Sequence, residues 1–178
     1  MSEIIQLERG NMIEKTGIDP KKYMKLLWIG GGVLFLDQIT KWVIMNELSL
    51  HSSIPVIQGI FNITHIQNPG GAFGFLAGKS DMIRAIVFLF FSSIALVVIL
   101  YFYHTTPRTH TLLSGGFALI FGGAMGNLVD RIRFGKVIDF LDFYVGQHHW
   151  PAFNVADSAI CVGVVIFSFH VLFKKMPD

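Results

Sequence analysis

Residues Gly122 to Asp157 read GGAMGNLVDRIRFGKVIDFLDFYVGQHHWPAFNVAD, and this stretch decides what kind of protein the chain is. It begins inside one apolar run, crosses a short polar interlude and ends inside another. Along it lie the acids Asp130, Asp139, Asp142 and Asp157, the asparagines Asn127 and Asn154, and Arg131. Ionisable groups at membrane depth are expensive, so each one is a functional hypothesis by default.

The apolar runs on either side recur along the chain. Of 178 residues, 52% are hydrophobic and only 15% charged, and the mean hydropathy is +0.56. A water-soluble domain carries closer to a quarter of its residues charged, so this composition indicates an integral membrane protein. A net charge of +2, with no basic patch interleaved with aromatics, gives no reason to expect nucleic acid. The lone cysteine, Cys161, sits in an apolar run and has no second cysteine in the chain to pair with.

Hydropathy predicts four transmembrane helices at about 26–45, 82–103, 111–129 and 152–173, together one four-helix membrane domain over 26–173. Residues 1–25 are polar and mixed in charge, without the apolar core of a signal peptide, and read as a cytoplasmic extension. Residues 174–178 read as a cytoplasmic tail. In the first span Asp37 and Lys41 stand four apart, which places opposite charges on one helix face as a structural ion pair. The second span carries no chemistry. The third has Ser114, Ala118, Gly122 and Gly126 at four-residue intervals, a small-residue seam that lets helices approach closely in lipid. That seam does not explain Asn127, Asp130 and Arg131 at its end. The fourth span is expected to open at Pro151, a favourable first helical residue.

Between the first two spans, GIFNITHIQ alternates and is rich in β-branched and aromatic residues, which predicts a strand in a small β-cradle. NPGGAFGF then reads as a turn, with Asn68 beside it. Gly135 to Trp150 is expected as a half-immersed amphipathic segment, with Trp150 as an interfacial anchor. Four spans put both termini on one side. Lys15, Lys21, Lys22, Lys25, Arg108, Lys174 and Lys175 fall on that side and make it cytoplasmic, although Arg131, Arg133 and Lys136 fall opposite.

On this topology Asp139 and Asp157 lie near the outer boundary. Two carboxyls in a partly dry site cannot both ionise cheaply, so one holds a proton at neutral pH. Such a pair supplies a general base to activate water and a general acid for the leaving amine. Asp130 could also pair with Asp157, but it adjoins Arg131 and is expected to be held in an ion pair. There is no Gly-x-Ser-x-Gly, no His-Glu-x-x-His and no phosphate loop. His148 and His149 beside Asp142 fall short of a metal site. A carrier using Asp37, Lys41, Asp130 and Asp157 as a proton relay is the alternative, although these residues cluster at one membrane face and no inverted repeat is visible. A non-catalytic assembly subunit would account for the seam and leave the acids without a purpose.

The blocks FLDQITKWVI, FNITHIQNPGGAFGFL, GGAMGNLVDRI, VIDFLDF and PAFNVADSAI together resemble, in order, the bacterial lipoprotein signal peptidases (signal peptidase II). The resemblance runs from about Leu34 to Val165 and departs only in the turn, where Pro69-Gly70-Gly71-Ala72 stands for a run that more often has Ala-Ala after the first glycine. It implies a four-span aspartic endopeptidase of the bacterial inner membrane with its active site facing the periplasm. The enzyme would remove the signal peptide of a diacylglyceryl prolipoprotein, cutting before the lipidated cysteine. By position Asp139 and Asp157 resemble the catalytic dyad. Asp37, Lys41, Asn68, Asn127, Asp130, Arg131 and Asn154 match residues that shape and support the site. The resemblance implies membrane lipids as surroundings, globomycin-type inhibitors as ligands, and neither cofactor nor metal.

Overall fold

The computed structural model describes residues 20–70 and 80–173. Eight elements follow in order: α1 (Pro20–Glu47), β1 (Ser53–Ile57), β2 (Phe61–Asn68), α2 (Asp81–Thr105), α3 (Thr111–Phe134), β3 (Val137–Val145), β4 (His148–His149) and α4 (Val155–Phe173). The expected N-terminal extension before Pro20, the turn from Gly71 to Phe75 and the tail after Phe173 lie outside the described residues.

Helices α2, α3 and α4 are long and apolar enough to cross a membrane. Helix α1, expected as the first of the four spans, does not meet that test, because Asp37, Gln38 and Lys41 lower its average hydropathy. Yet Asp37 and Lys41 are buried, and the outward face of α1 shows Leu27, Trp28, Phe35, Leu36 and Trp42. Helix α2 likewise exposes Met82, Ile86, Phe90, Phe91 and Val97. An aqueous protein does not keep so much contiguous apolar surface.

Helix α3 is the hub, packed against α1, α2 and α4. Its seam of small residues makes this possible. A Cβ on Gly122 would lie 2.5 Å from the Gly30 carbonyl oxygen of α1, and one on Gly123 would collide with the Ala156 carbonyl oxygen of α4. A Cβ on Gly126 would meet the Asp37 carboxylate. Backbones this close exchange dispersion contacts that no hydrophobic drive could replace in lipid.

The strand predicted in GIFNITHIQ is β2, and it pairs antiparallel with β1 and β3 in the sheet order β1-β2-β3-β4. The segment expected to be amphipathic and half-immersed is instead strand β3. Val137, Ile138, Asp139 and Phe140 are all buried, with Ile138 and Phe140 clustered on Ile44 of α1. Its run of apolar residues, broken by Asp139 and Asp142, forms a strand that is covered on both faces near its start.

Two helix ends also differ from expectation. Helix α3 runs on to Phe134 and ends at Gly135, whose left-handed backbone (φ 69°) suits a C-cap glycine. Helix α4 begins at Val155 and not at Pro151. The backbone of Phe153 exchanges hydrogen bonds with Leu141 of β3 (2.8 and 3.1 Å), which keeps this approach extended.

Candidate active site

At the end of the bundle beside the sheet, polar residues from five elements converge. The start of α4 sets the geometry. Asn154 is the N-cap: its Oδ1 accepts from the Asp157 N–H at 2.9 Å, and Asp157 Oδ2 accepts in return from the Asn154 N–H at 3.3 Å. This is a reciprocal capping box with aspartate at the third helical position. The Ala156 N–H, another first-turn donor without an intrahelical partner, donates to Asp37 Oδ1 of α1 at 2.9 Å. The first turn of α4 is therefore fixed from two sides, and Asp157 with it.

Asn154 is fully buried, and its amide donates to Asp139 Oδ1 of β3 at 2.8 Å, to the Ile138 carbonyl at 3.2 Å and to Asn127 Oδ1 at 3.2 Å. The other Asp139 oxygen accepts from Asn68 Nδ2, at the end of β2, at 3.0 Å. Asp139 is 2% exposed. Burial pushes its carboxyl up to about 7, with the neighbouring Asp157 charge adding to the rise and the Asn68 and Asn154 amides opposing it. Asp157 Oδ1 accepts from Asn127 Nδ2 of α3 at 2.8 Å.

Behind the two carboxyls lies a buried ionic cluster. Lys41 pairs with Asp37 at 2.9 Å and with Asp130 at 2.8 Å, and donates to Asn127 Oδ1 at 3.0 Å. Asp130 also accepts from the Ile138 N–H at 3.1 Å, tying α3 to β3. Asp130 was expected to pair with its neighbour Arg131. It pairs with Lys41 instead, because consecutive helical residues point away from each other. Arg131 donates to the Asn127 carbonyl at 3.2 Å and lies over the Phe88 ring of α2, 5.9 Å from its centroid.

All nine residues singled out from the sequence thus meet in one constellation. One that was missed is Gln38, which donates to Asp130 Oδ1 at 3.0 Å, to Asp37 Oδ2 at 3.2 Å and to the Gly126 carbonyl at 3.2 Å. Its place three residues before Lys41, on the same helix face, was the available signal. The capping box was also missed, although Asn-Val-Ala-Asp spells it. His149 Nδ1 lies 2.8 Å from Asp142 Oδ1 on the outer part of the sheet, away from these residues in the register, and no group of three metal-ligating side chains occurs among the described residues.

A buried carboxyl near neutrality beside a second one held by capping can give and take a proton at a substrate placed between them. A family model described as signal peptidase (SPase) II matches residues 29–173. A lipoprotein signal peptidase of Desulforapulum autotrophicum is 54% identical over 161 residues, covering 90% of this chain and 99% of that one. Another, from Syntrophus aciditrophicus, is 50% identical over 159 residues, covering 87% and 97%. A solved structure described as a bacterial membrane enzyme superposes with a TM-score of 0.73 at 32% identity, over 85% of this chain and 94% of that one.

Proposed function

The chain belongs to the signal peptidase II family, and from that premise we propose that it is an aspartic endopeptidase using Asp139 and Asp157 as its catalytic pair. The substrate is a diacylglyceryl prolipoprotein, cut before the lipidated cysteine. The observation that carries the reading is the position of Asn154. One buried side chain contacts the Asp139 carboxyl and the backbone of Asp157, so the two acids are set by a single rigid group.

In this reading Asp139, whose carboxyl sits near 7, carries the shared proton at rest, and Asp157 is the base. Asp157 takes a proton from a water as its oxygen attacks the scissile carbonyl carbon. Asp139 gives its proton to the carbonyl oxygen, forming a neutral gem-diol. Collapse of that diol returns one hydroxyl proton to Asp139, while the proton on Asp157 passes to the leaving amine as the C–N bond breaks. Asn68 and Asn154 hold Asp139. Asn127 holds Asp157. The Asp37, Lys41 and Asp130 cluster locks α1, α3, β3 and α4 together without taking part in proton transfer.

The same reading makes α1 a fourth span, its polar residues turned inward and its apolar face outward. Both termini then share one side, which Lys21, Lys22, Lys25 and Arg108 mark as the cytoplasm. The carboxyls face the periplasm of the inner membrane, and residues 26–173 form one peptidase domain. A globomycin-type inhibitor would occupy the same cleft as the signal peptide.

The deciding experiment is cleavage of a diacylglyceryl prolipoprotein by purified protein in detergent, comparing wild type with Asp139→Asn, Asp157→Asn and Asp130→Asn, each verified as folded. Near-normal turnover by either of the first two would overturn the pair. No cleavage by folded wild type, with lipidated substrate confirmed, would overturn the peptidase reading.

A further inference from the structure

The sequence alone gives helix α2 no chemistry, and most of its side chains face outward. Phe88 is an exception. It is half-buried and turned toward both the loop after β2 and the far end of α3. Its first contact is Gly70. A Cβ on that glycine would lie 2.6 and 2.7 Å from Cδ2 and Cε2 of the Phe88 ring, so the glycine backbone rests directly on the ring. Its second contact is Arg131, whose guanidinium carbon is 5.9 Å from the ring centroid.

Each contact leads to one carboxyl. Gly70 donates its N–H to Asn68 Oδ1 at 2.8 Å, while Asn68 Nδ2 donates to Asp139 Oδ2 at 3.0 Å. The oxygen end of the Asn68 amide is taken by Gly70, so its donor end faces Asp139. Gly70 has φ 87°, a region that glycine enters freely, and its lack of a Cβ leaves room for the ring. If Gly70 shifts, the amide loses the bond that tells its two ends apart. Arg131 is tied more loosely. Among the described residues its one hydrogen bond runs from Nη1 to the Asn127 carbonyl, at 3.2 Å. A planar fork held by one bond can swing about it, and the Phe88 ring supplies a second restraint through cation–π attraction. The side chain of Asn127 in turn donates to Asp157 Oδ1 at 2.8 Å.

We propose that Phe88 is a positioning residue for cleavage, its ring holding Gly70 and Arg131 and, through them, the Asn68 and Asn127 amides on the two carboxyls. The inference rests on the reading of Asp139 and Asp157 as the catalytic pair. It gives α2 a part in turnover, although none of its side chains touches either acid in the contacts described above. Packing against lipid does not ask for a ring at this position, since leucine is as apolar. What leucine lacks is a flat face against which a glycine backbone and a guanidinium can both lie. Phe91, one turn further along the outward face of the same helix, is exposed and serves as the control.

The test measures kcat and KM for cleavage of a diacylglyceryl prolipoprotein by the purified full chain in detergent, with rates normalised to folded protein. Wild type is compared with Phe88→Leu, Phe88→Tyr, Phe91→Leu, Gly70→Ala and the double variant Phe88→Leu with Gly70→Ala. Phe88→Leu is expected to lower kcat about tenfold, with KM and thermal midpoint little changed. Phe88→Tyr, which keeps the ring, should restore kcat, and Phe91→Leu should match wild type. Gly70→Ala should lower kcat as well. The double variant should then lose less than the two single losses multiplied, because one contact has been broken twice. Wild-type kcat in Phe88→Leu, a loss confined to KM, no recovery in Phe88→Tyr, an equal loss in Phe91→Leu, or single losses that simply multiply overturns the proposal. If Phe88→Leu fails to fold, Gly70→Ala decides, and undiminished kcat in that variant overturns it. Asp139→Asn is assayed alongside to separate the two readings. Normal turnover there sinks the catalytic pair, whereas an inactive Asp139→Asn beside an unimpaired Phe88→Leu sinks this inference alone.

Discussion

The side-chain amide of Asn154 donates to Asp139 Oδ1 at 2.8 Å from the N-cap position of the helix that carries Asp157. A helix cap and a carboxyl contact are thus one residue. Replacing Asn154 with alanine removes both, and replacing it with serine keeps the cap while losing the reach to Asp139. Thermal midpoints should fall in the order wild type, Asn154→Ser, Asn154→Ala, with the lost cap alone costing about 1 kcal/mol. Cleavage should be low in both variants. Normal cleavage by the serine variant would remove Asn154 from the site.

Asp139→Asn and Asp157→Asn should each reduce cleavage of lipidated prolipoprotein about a thousandfold or more, the range of a lost general acid or base. Asp130→Asn should retain measurable cleavage but unfold at lower temperature, since Asp130 is held by Lys41 and the Ile138 N–H. The comparison is made by gel-shift of the processed product alongside a melting curve.

Activity should fall on the alkaline side through about pH 7, where Asp139 loses the proton it must donate. Stability has a definite sign as well. A carboxyl raised from 3.8 to about 7 on folding binds more protons in the native state, so ionising it disfavours the fold. This contribution is intact below about pH 4, declines as pH rises to about 7, and is flat above. The slope is at most about 1.4 kcal/mol per pH unit. Melting curves at several pH values should therefore show wild type losing ground to Asp139→Asn across that window. A constant difference between the two would contradict the raised carboxyl.

Lys41→Met leaves Asp37 and Asp130 buried without their shared cation. Breaking a buried pair in this way costs about 3–5 kcal/mol, and more than one acid is stranded here. The variant should be poorly folded in detergent, and adding Asp37→Asn with Asp130→Asn should recover part of the loss. Absence of any recovery would mean that Lys41 stabilises by something other than these charges.

Gly126→Ala should destabilise by about 1–3 kcal/mol, because its Cβ would press on the Asp37 carboxylate and the Ala156 side chain. Gly31→Ala, in the glycine run of α1 where a Cβ meets nothing within 4 Å, is the control and should be neutral or better. Parallel thermal melts of the two variants decide the point.

The sequence by itself determined that the chain is a membrane protein, where its apolar helices lie, and which polar residues have no business among them. These are local properties: hydropathy over twenty residues, a small-residue period of four, an acid four residues before a lysine. It also determined the family, through five blocks of residues in order. Only the tertiary structure decided the partners. Asp130 turned from Arg131 to Lys41 because a helix separates adjacent side chains by about 100°, and α1 happens to pass on the side Asp130 faces. Val137 to Val145 became a strand because β2 offered it an edge, and a largely apolar run broken by two acids suits a buried strand as well as a surface segment. Asn154 could be read as a polar residue near an acid. That it caps one carboxyl's helix while holding the other carboxyl depends on β3 and α4 meeting in space, which no spacing along the chain records.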